Sequence, residues 1–288
     1  MTKPIVAAVD GSDSAKRAVR WAAGEAIDRG LPLRLVNAWV MIAAYPPVLV
    51  PMAVSDVMER EGRDWLNEAM RTAREAAPQV DVSAHLCRGP AAARLIEESK
   101  NAELIVLGSR GLGGFTGMLI GSVAVALGAH GHCPIVVVRG EHDRTDGPVV
   151  VGVDGSPPSE DAIGFAFAEV SRLNVPLVAV HAWNDMSLYI KFSLPPYRTH
   201  WLRVEQEQNR LLEERLAVWR DKYPDVSVKS VVTPDRPAES LLEAAHTAQL
   251  VVVGSRGRGG VTGMLLGSTS QALLHHAPCA VAVVRPDC

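Results

Sequence analysis

The sequence predicts an α/β protein of two tandem doubly wound domains, each a five-stranded parallel sheet with helices on both faces. Three observations predict it. A glycine-rich stretch is written twice, GSRGLGGFTGMLIGS from Gly108 to Ser122 and GSRGRGGVTGMLLGS from Gly254 to Ser268, with 12 of 15 positions identical. The flanking sequence repeats too. VAAVDGS from Val6 returns as VVGVDGS from Val150 at an offset of 144, whereas the glycine stretches and the closing VVVR and AVVR runs are offset by 146. Finally, each half alternates short apolar runs with longer helical patterns, the order that produces a parallel sheet with right-handed crossovers. A repeat of this length is a duplicated domain and not a solenoid unit.

The elements follow in order. IVAAV from Ile5 is apolar and β-branched, hence a strand, and a helix is expected from Ser14 to Arg29. LPLRLVNAW is the second strand, followed by a long amphipathic helix over SDVMEREGRDWLNEAMRTAREAA. VDVSAHL alternates with period two, as a half-exposed strand does, and Pro90 suits the first turn of the helix after it. AELIVLG is apolar throughout, as expected for a strand covered on both faces. The glycine stretch, a helix from about Ser122 and the strand PIVVVR complete the half. The polar seam around Glu141 to Gly147 places the domains at 1–143 and 144–288.

Composition excludes several classes. A length of 288 residues suits two domains, and 48% hydrophobic with 21% charged residues is ordinary for a globular protein. A net charge of −3 and 5% aromatics argue against nucleic-acid binding, which uses basic patches and stacking platforms. The N-terminus enters a strand pattern directly, and the longest uncharged run carries Pro46, Pro47 and Pro51. It reads as an apolar loop, so no membrane association and a cytoplasmic location are expected. Cys133 and Cys279 each open an apolar strand and read as buried core. Cys87 and Cys288 have no CxxC partner, so neither a disulfide framework nor a zinc site is expected. His130, His132, His275 and His276 fall where helices should end, favourable places for cations near the dipole.

The glycine stretch leaves the carboxyl end of the fourth strand, the edge where doubly wound sheets bind ligands. Glycines let backbone N–H groups converge without a side chain in the way, and a helix start adds its own free N–H groups and partial positive charge. Ser122 and Ser268 stand where an N-cap hydroxyl belongs. Such wiring suits an anion, and phosphate fits best. The pattern is not GxxxxGK(S/T), since neither stretch has a lysine, and it is not the dinucleotide fingerprint, which follows the first strand. It is G-x2-G-x9-G-(S/T): Gly108, Gly111, Gly121, Ser122 in one half and Gly254, Gly257, Gly267, Ser268 in the other.

That spacing, with VDGS upstream and CPIVVV-type strands downstream, resembles the ATP-binding class of universal stress proteins. The resemblance spans almost the whole chain twice and is greatest to tandem-domain actinobacterial and mycobacterial members. It implies two Rossmann-like sheets of strand order 3-2-1-4-5, with one ATP per domain (two per chain) lying across the strand ends with Mg. By the same resemblance Asp10 and Asp154 contact the nucleoside or a metal, while the backbone at Ala8 and Gly152 lies beneath the base. Ala38 and Ala182 help wall the base, with Asp185 near the base or ribose. Gly108, Ser109, Arg110, Gly111, Leu112, Gly113 and Gly114 wrap the phosphates in the first domain. Gly254, Ser255, Arg256, Gly257, Arg258, Gly259 and Gly260 do so in the second. Gly121, Ser122 and Val123, with Gly267, Ser268, Thr269 and Ser270, close the sites.

No Ser-His-Asp arrangement, nucleophile elbow or two-metal carboxylate cluster is legible, so a catalyst is not the first expectation. The expectation is an ATP-binding stress-response regulator whose occupancy switches a conformation or a partner. The partners expected are ATP, a homodimer mate and an unidentified regulatory protein. The alternatives are a slow Mg-dependent ATPase and a chaperone-like structural dimer.

Overall fold

The protein is described here by a computed structural model covering residues 2–40, 52–111, 121–140, 146–183, 198–234, 236–258 and 266–286. The chain divides into two units, Met1–Arg139 and Gly140–Cys288. The first contains β1 (Ile5–Ala8), α1 (Asp13–Arg29), β2 (Leu33–Trp39), α2 (Met52–Ala76) and β3 (Val82–Arg88). It continues with α3 (Ala91–Ser99), β4 (Leu104–Gly108), α4 (Ser122–His130) and β5 (Ile135–Val138). The second contains β6 (Val149–Gly152), α5 (Pro157–Leu173), β7 (Leu177–Ala182), α6 (Arg198–Lys222) and β8 (Val228–Thr233). Then come α7 (Pro237–Ala245), β9 (Leu250–Gly254), α8 (Ser268–His276) and β10 (Ala280–Val284).

Within the first unit the strands run β3-β2-β1-β4-β5, and within the second β8-β7-β6-β9-β10. Every pairing inside each unit is parallel. Each unit is therefore the doubly wound sheet that the alternation of strand and helix implies. The central strands are buried on both faces, with Ile5, Val6, Leu104 and Ile105 fully enclosed, which is why their sequences show no alternation. β3, last in its unit's order, has mostly exposed or half-exposed residues, but its exposure does not follow the alternation of its sequence, since Ser83, Ala84 and His85 are all exposed and Cys87 is buried.

The helix ends follow local chemistry. Ser12 caps α1 by accepting from the Ala15 N–H at 3.1 Å. Gly30 ends α1 at φ 63°, and Asn174, the matching residue in the repeat, ends α5 at φ 53°. Both are residue types that accept the left-handed conformation a helix C-cap demands. At the glycine stretches the structure corrects one expectation. Ser122 and Ser268 are the first helical residues, and the caps are Gly121 and Gly267, extended at φ −73° and −68°. Neither cap has a side chain that could accept from the first-turn N–H groups, and in α4 the Ala124 N–H donates back to the Gly121 carbonyl at 3.1 Å.

Candidate nucleotide site

The site in the first unit begins at the crevice between β1 and β4, where the direction of winding reverses. β1 pairs with β2 on one side and β4 on the other, so the chain leaves these strands in opposite senses and opens a crevice between their carboxyl ends. A cleft of about 310 Å³ lies there, within the range of small-ligand sites. Its apolar wall is made by Ala8 from β1, Val36 and Ala38 from β2, and Ala91 and Leu95 from α3. Its polar side is made by Asp10, Gly108, Arg110, Gly111, Gly121 and Ser122, with Val123 beside them.

Two glycines are required by close approach. A Cβ on Gly108 would stand 2.6 Å from the Ser14 carbonyl carbon and 2.8 Å from the Ala15 nitrogen. One on Gly254 would stand 2.8 Å from the Pro158 carbonyl carbon. In both units the strand end abuts the backbone of the first turn of the helix that follows the unit's first strand, α1 or α5, which cannot give way. The stretch then closes on itself: the Gly121 N–H donates to the Ser109 carbonyl at 3.1 Å, and the Gly267 N–H to the Ser255 carbonyl at 2.8 Å.

The Asp-Gly-Ser turns clamp these loops. Asp10 Oδ1 accepts from the Ser12 N–H at 3.0 Å and the Ser12 hydroxyl at 2.6 Å, and that hydroxyl also lies 3.3 Å from the Arg110 carbonyl. In the second unit Asp154 Oδ1 accepts from the Ser156 N–H at 2.9 Å and hydroxyl at 2.6 Å, while Oδ2 accepts from the Arg258 N–H at 3.0 Å. Each carboxylate orders its turn while standing beside the glycine stretch.

The other expected site residues occupy several settings. Ser109 is buried, its hydroxyl 3.4 Å from that of Ser14, and does not line the cleft. Ser255 is fully buried, and Ser270 donates to the Gly254 carbonyl at 2.6 Å, pinning α8 to the end of β9. Gly152 packs against Leu241 and Val253. Ala182 ends β7, and Arg256, Gly257, Arg258 and Ser268 are exposed at the same strand-end edge with Thr269 half-exposed. Leu112, Gly113, Gly114, Asp185, Gly259 and Gly260 lie outside the described residues. Val36, Ala91 and Leu95 were not expected. Only the small-residue run after Pro90 hinted that α3 could approach closely.

A doubly wound α/β fold with a cleft at its switch point is the class that this geometry defines. Residues 1–139 and 147–285 each match the model of the universal stress protein family, and the chain belongs to that family. It is 41% identical to Universal stress protein Rv2005c of Mycobacterium tuberculosis, covering 99% of each chain. It is 39% identical to a universal stress protein of Mycolicibacterium smegmatis, covering 98% of this chain and 97% of the other. Among solved structures, a universal stress protein from Archaeoglobus fulgidus shares the fold over 99% of both chains, with a TM-score of 0.72 at 20% identity. Among the described residues no helix is long and apolar enough to cross a membrane.

Proposed function

We propose that the chain binds ATP with Mg2+, one per unit, and that occupancy switches a conformation or a partner in a stress response. The observation that carries this reading is the two-sided cleft of the first unit. Ala8, Val36, Ala38 and Leu95 offer an apolar slot for a base, and Arg110 with the uncapped start of α4 offers charge and N–H donors for phosphates. The second unit repeats the uncapped start at α8 and adds Arg258 where the first has Leu112. Asp10 and Asp154 are the carboxylates that would face the metal. The bonds that tie them to their own turns favour a binding role over a general base. A homodimer mate and a regulatory protein are the partners through which occupancy would be read.

Gly121→Asp and Gly267→Asp test the proposal. Both positions have extended backbone that any residue adopts, and a Cβ on Gly121 meets nothing within 4 Å. The fold should therefore persist while a carboxylate enters the phosphate region. Losing a charge-assisted hydrogen bond, at about 1.5–3 kcal/mol, weakens affinity about ten- to a hundred-fold. Each single variant should carry about half the nucleotide of the parent after purification, and the double variant almost none, with unchanged circular dichroism. A folded double variant that still carries near two nucleotides per chain would overturn the assignment.

A further inference from the structure

We infer that His85, Cys87 and Glu98 form a binding site for a borderline-soft divalent cation, Zn2+ above all, outside the nucleotide cleft. His85 and Cys87 are two residues apart on β3 and so share a face, and Glu98 reaches that face from the last turn of α3. The His85 Nδ1 lies 3.1 Å from Glu98 Oε1 and 3.6 Å from the Cys87 sulfur, and the three ligand atoms all fall within 4.8 Å of one another. Zinc–sulfur and zinc–nitrogen or –oxygen bonds of about 2.3 and 2.0–2.1 Å at tetrahedral angles separate ligand atoms by about 3.3–3.6 Å. Nδ1 stands close to that spacing from both of the other ligand atoms.

The donor set has the chemistry of such a site. A thiolate, an imidazole and a carboxylate are a zinc combination, and three protein ligands leave a fourth position for water. The carboxylate is oriented from behind: Arg34 donates to Glu98 Oε2 at 3.1 Å, leaving Oε1 toward the histidine. Outer partners of this kind are usual at metal centres. Cys87 is buried whereas His85 is exposed, so an ion would enter from the histidine side. On binding, Cys87 loses its thiol proton to solvent, and Nδ1 exchanges its hydrogen bond to Glu98 for a bond to the metal.

The internal repeat supplies an independent comparison. At the matching positions of the second unit stand Val178, Val231, Thr233 and Ala244 in place of Arg34, His85, Cys87 and Glu98. The same strand pair and helix form there without any of the four polar groups, so folding does not require the cluster. The hydrogen bond of His85 with Glu98 is its alternative role, and that bond needs no buried thiol beside it.

The test uses the full-length chain freed of metal with a chelator and titrated with Co2+, then Zn2+. One Co2+ should bind with the near-ultraviolet thiolate charge-transfer band and intense visible bands of a tetrahedral site, and Zn2+ should displace it. Cys87→Ser should lose the thiolate band, and His85→Gln and Glu98→Gln should each weaken Co2+ binding about tenfold or more. In the unaltered protein, Zn2+ should also protect Cys87 from alkylation, read by peptide mass spectrometry, which needs no variant to fold. Absence of a thiolate band in the parent, a band undiminished in folded Cys87→Ser, or equal alkylation with and without Zn2+ would overturn the site.

Discussion

The Asn37 amide donates to the Val9 carbonyl at 2.7 Å, and in the second unit His181 Nδ1 meets the matching Val153 carbonyl at 2.6 Å. The side chain differs but the acceptor does not. Val9 and Val153 immediately precede Asp10 and Asp154, so this buried bond sets where each Asp-Gly-Ser turn leaves the sheet. The facing helix has adjusted to match: Gly62 packs on Asn37, whereas Gln208 lies 2.9 Å from His181 Nε2.

Asn37→Leu should therefore cost about 1–3 kcal/mol, because the Val9 carbonyl loses its side-chain donor in a buried place. His181→Leu should cost a similar amount in the second unit. Urea unfolding followed by tryptophan fluorescence measures both. Unchanged midpoints would show that the turn is held by its own Asp and Ser alone.

Gly11 and Gly155 share a positive φ, 83° and 75°, but not their surroundings. A Cβ on Gly11 would stand 2.6 Å from the rigid indole of Trp65, whereas one on Gly155 would meet the far ends of the flexible side chains of Arg215 and Arg258. Alanine at either should cost about 1–2 kcal/mol for the backbone, and at Gly11 about 1–3 kcal/mol more for overpacking. Trp65→Ala should recover part of the second penalty and none of the first. A double-mutant cycle on thermal unfolding reads that coupling. Equal costs at the two glycines would refute the steric account.

Lys16 on α1 and Glu68 on α2 pair at 2.8 Å, while Glu160 on α5 and Arg215 on α6 pair in the second unit with the signs reversed. The hydrogen bond and charge of Lys16 hold the Glu68 carboxyl below its ordinary range, and Glu68 raises the Lys16 ammonium. A lowered carboxyl contributes stability above its unfolded value and loses it as pH falls through the folded one. A raised ammonium contributes below its unfolded value and loses it as pH rises through the folded one. The stability difference between parent and Glu68→Gln should thus be flat near neutrality and shrink at both extremes. Salt should reduce it, because both groups face solvent. A difference that is unaffected by pH would mean that the pair contributes nothing electrostatic.

Much was legible in the chain itself. The repeat, the alternation of strand and helix, and the fully apolar β4 and β9 depend on residues a few positions apart, and hydrophobic period reports such short-range relations directly. The glycine stretches stand out for a related reason: a run lacking side chains is visible in one dimension. Ala8, Asp10, Ala38, Gly108, Gly111 and Gly121, singled out by motif and resemblance, do meet at one cleft. The cap falls on Gly121, one residue before the serine that the sequence suggests, because a serine after a glycine resembles a cap until the backbone angles are known.

What the sequence determined alone is thus the doubly wound unit, its duplication, and the edge at which its loops gather. What only the tertiary structure decided is which residues from separate elements face one another. Leu95 joins the cleft, and Glu98 meets His85 and Cys87, only because the crossover lays α3 across the sheet at one angle and register. That placement follows from packing summed over the whole core, and no spacing within the stretch from His85 to Glu98 encodes it.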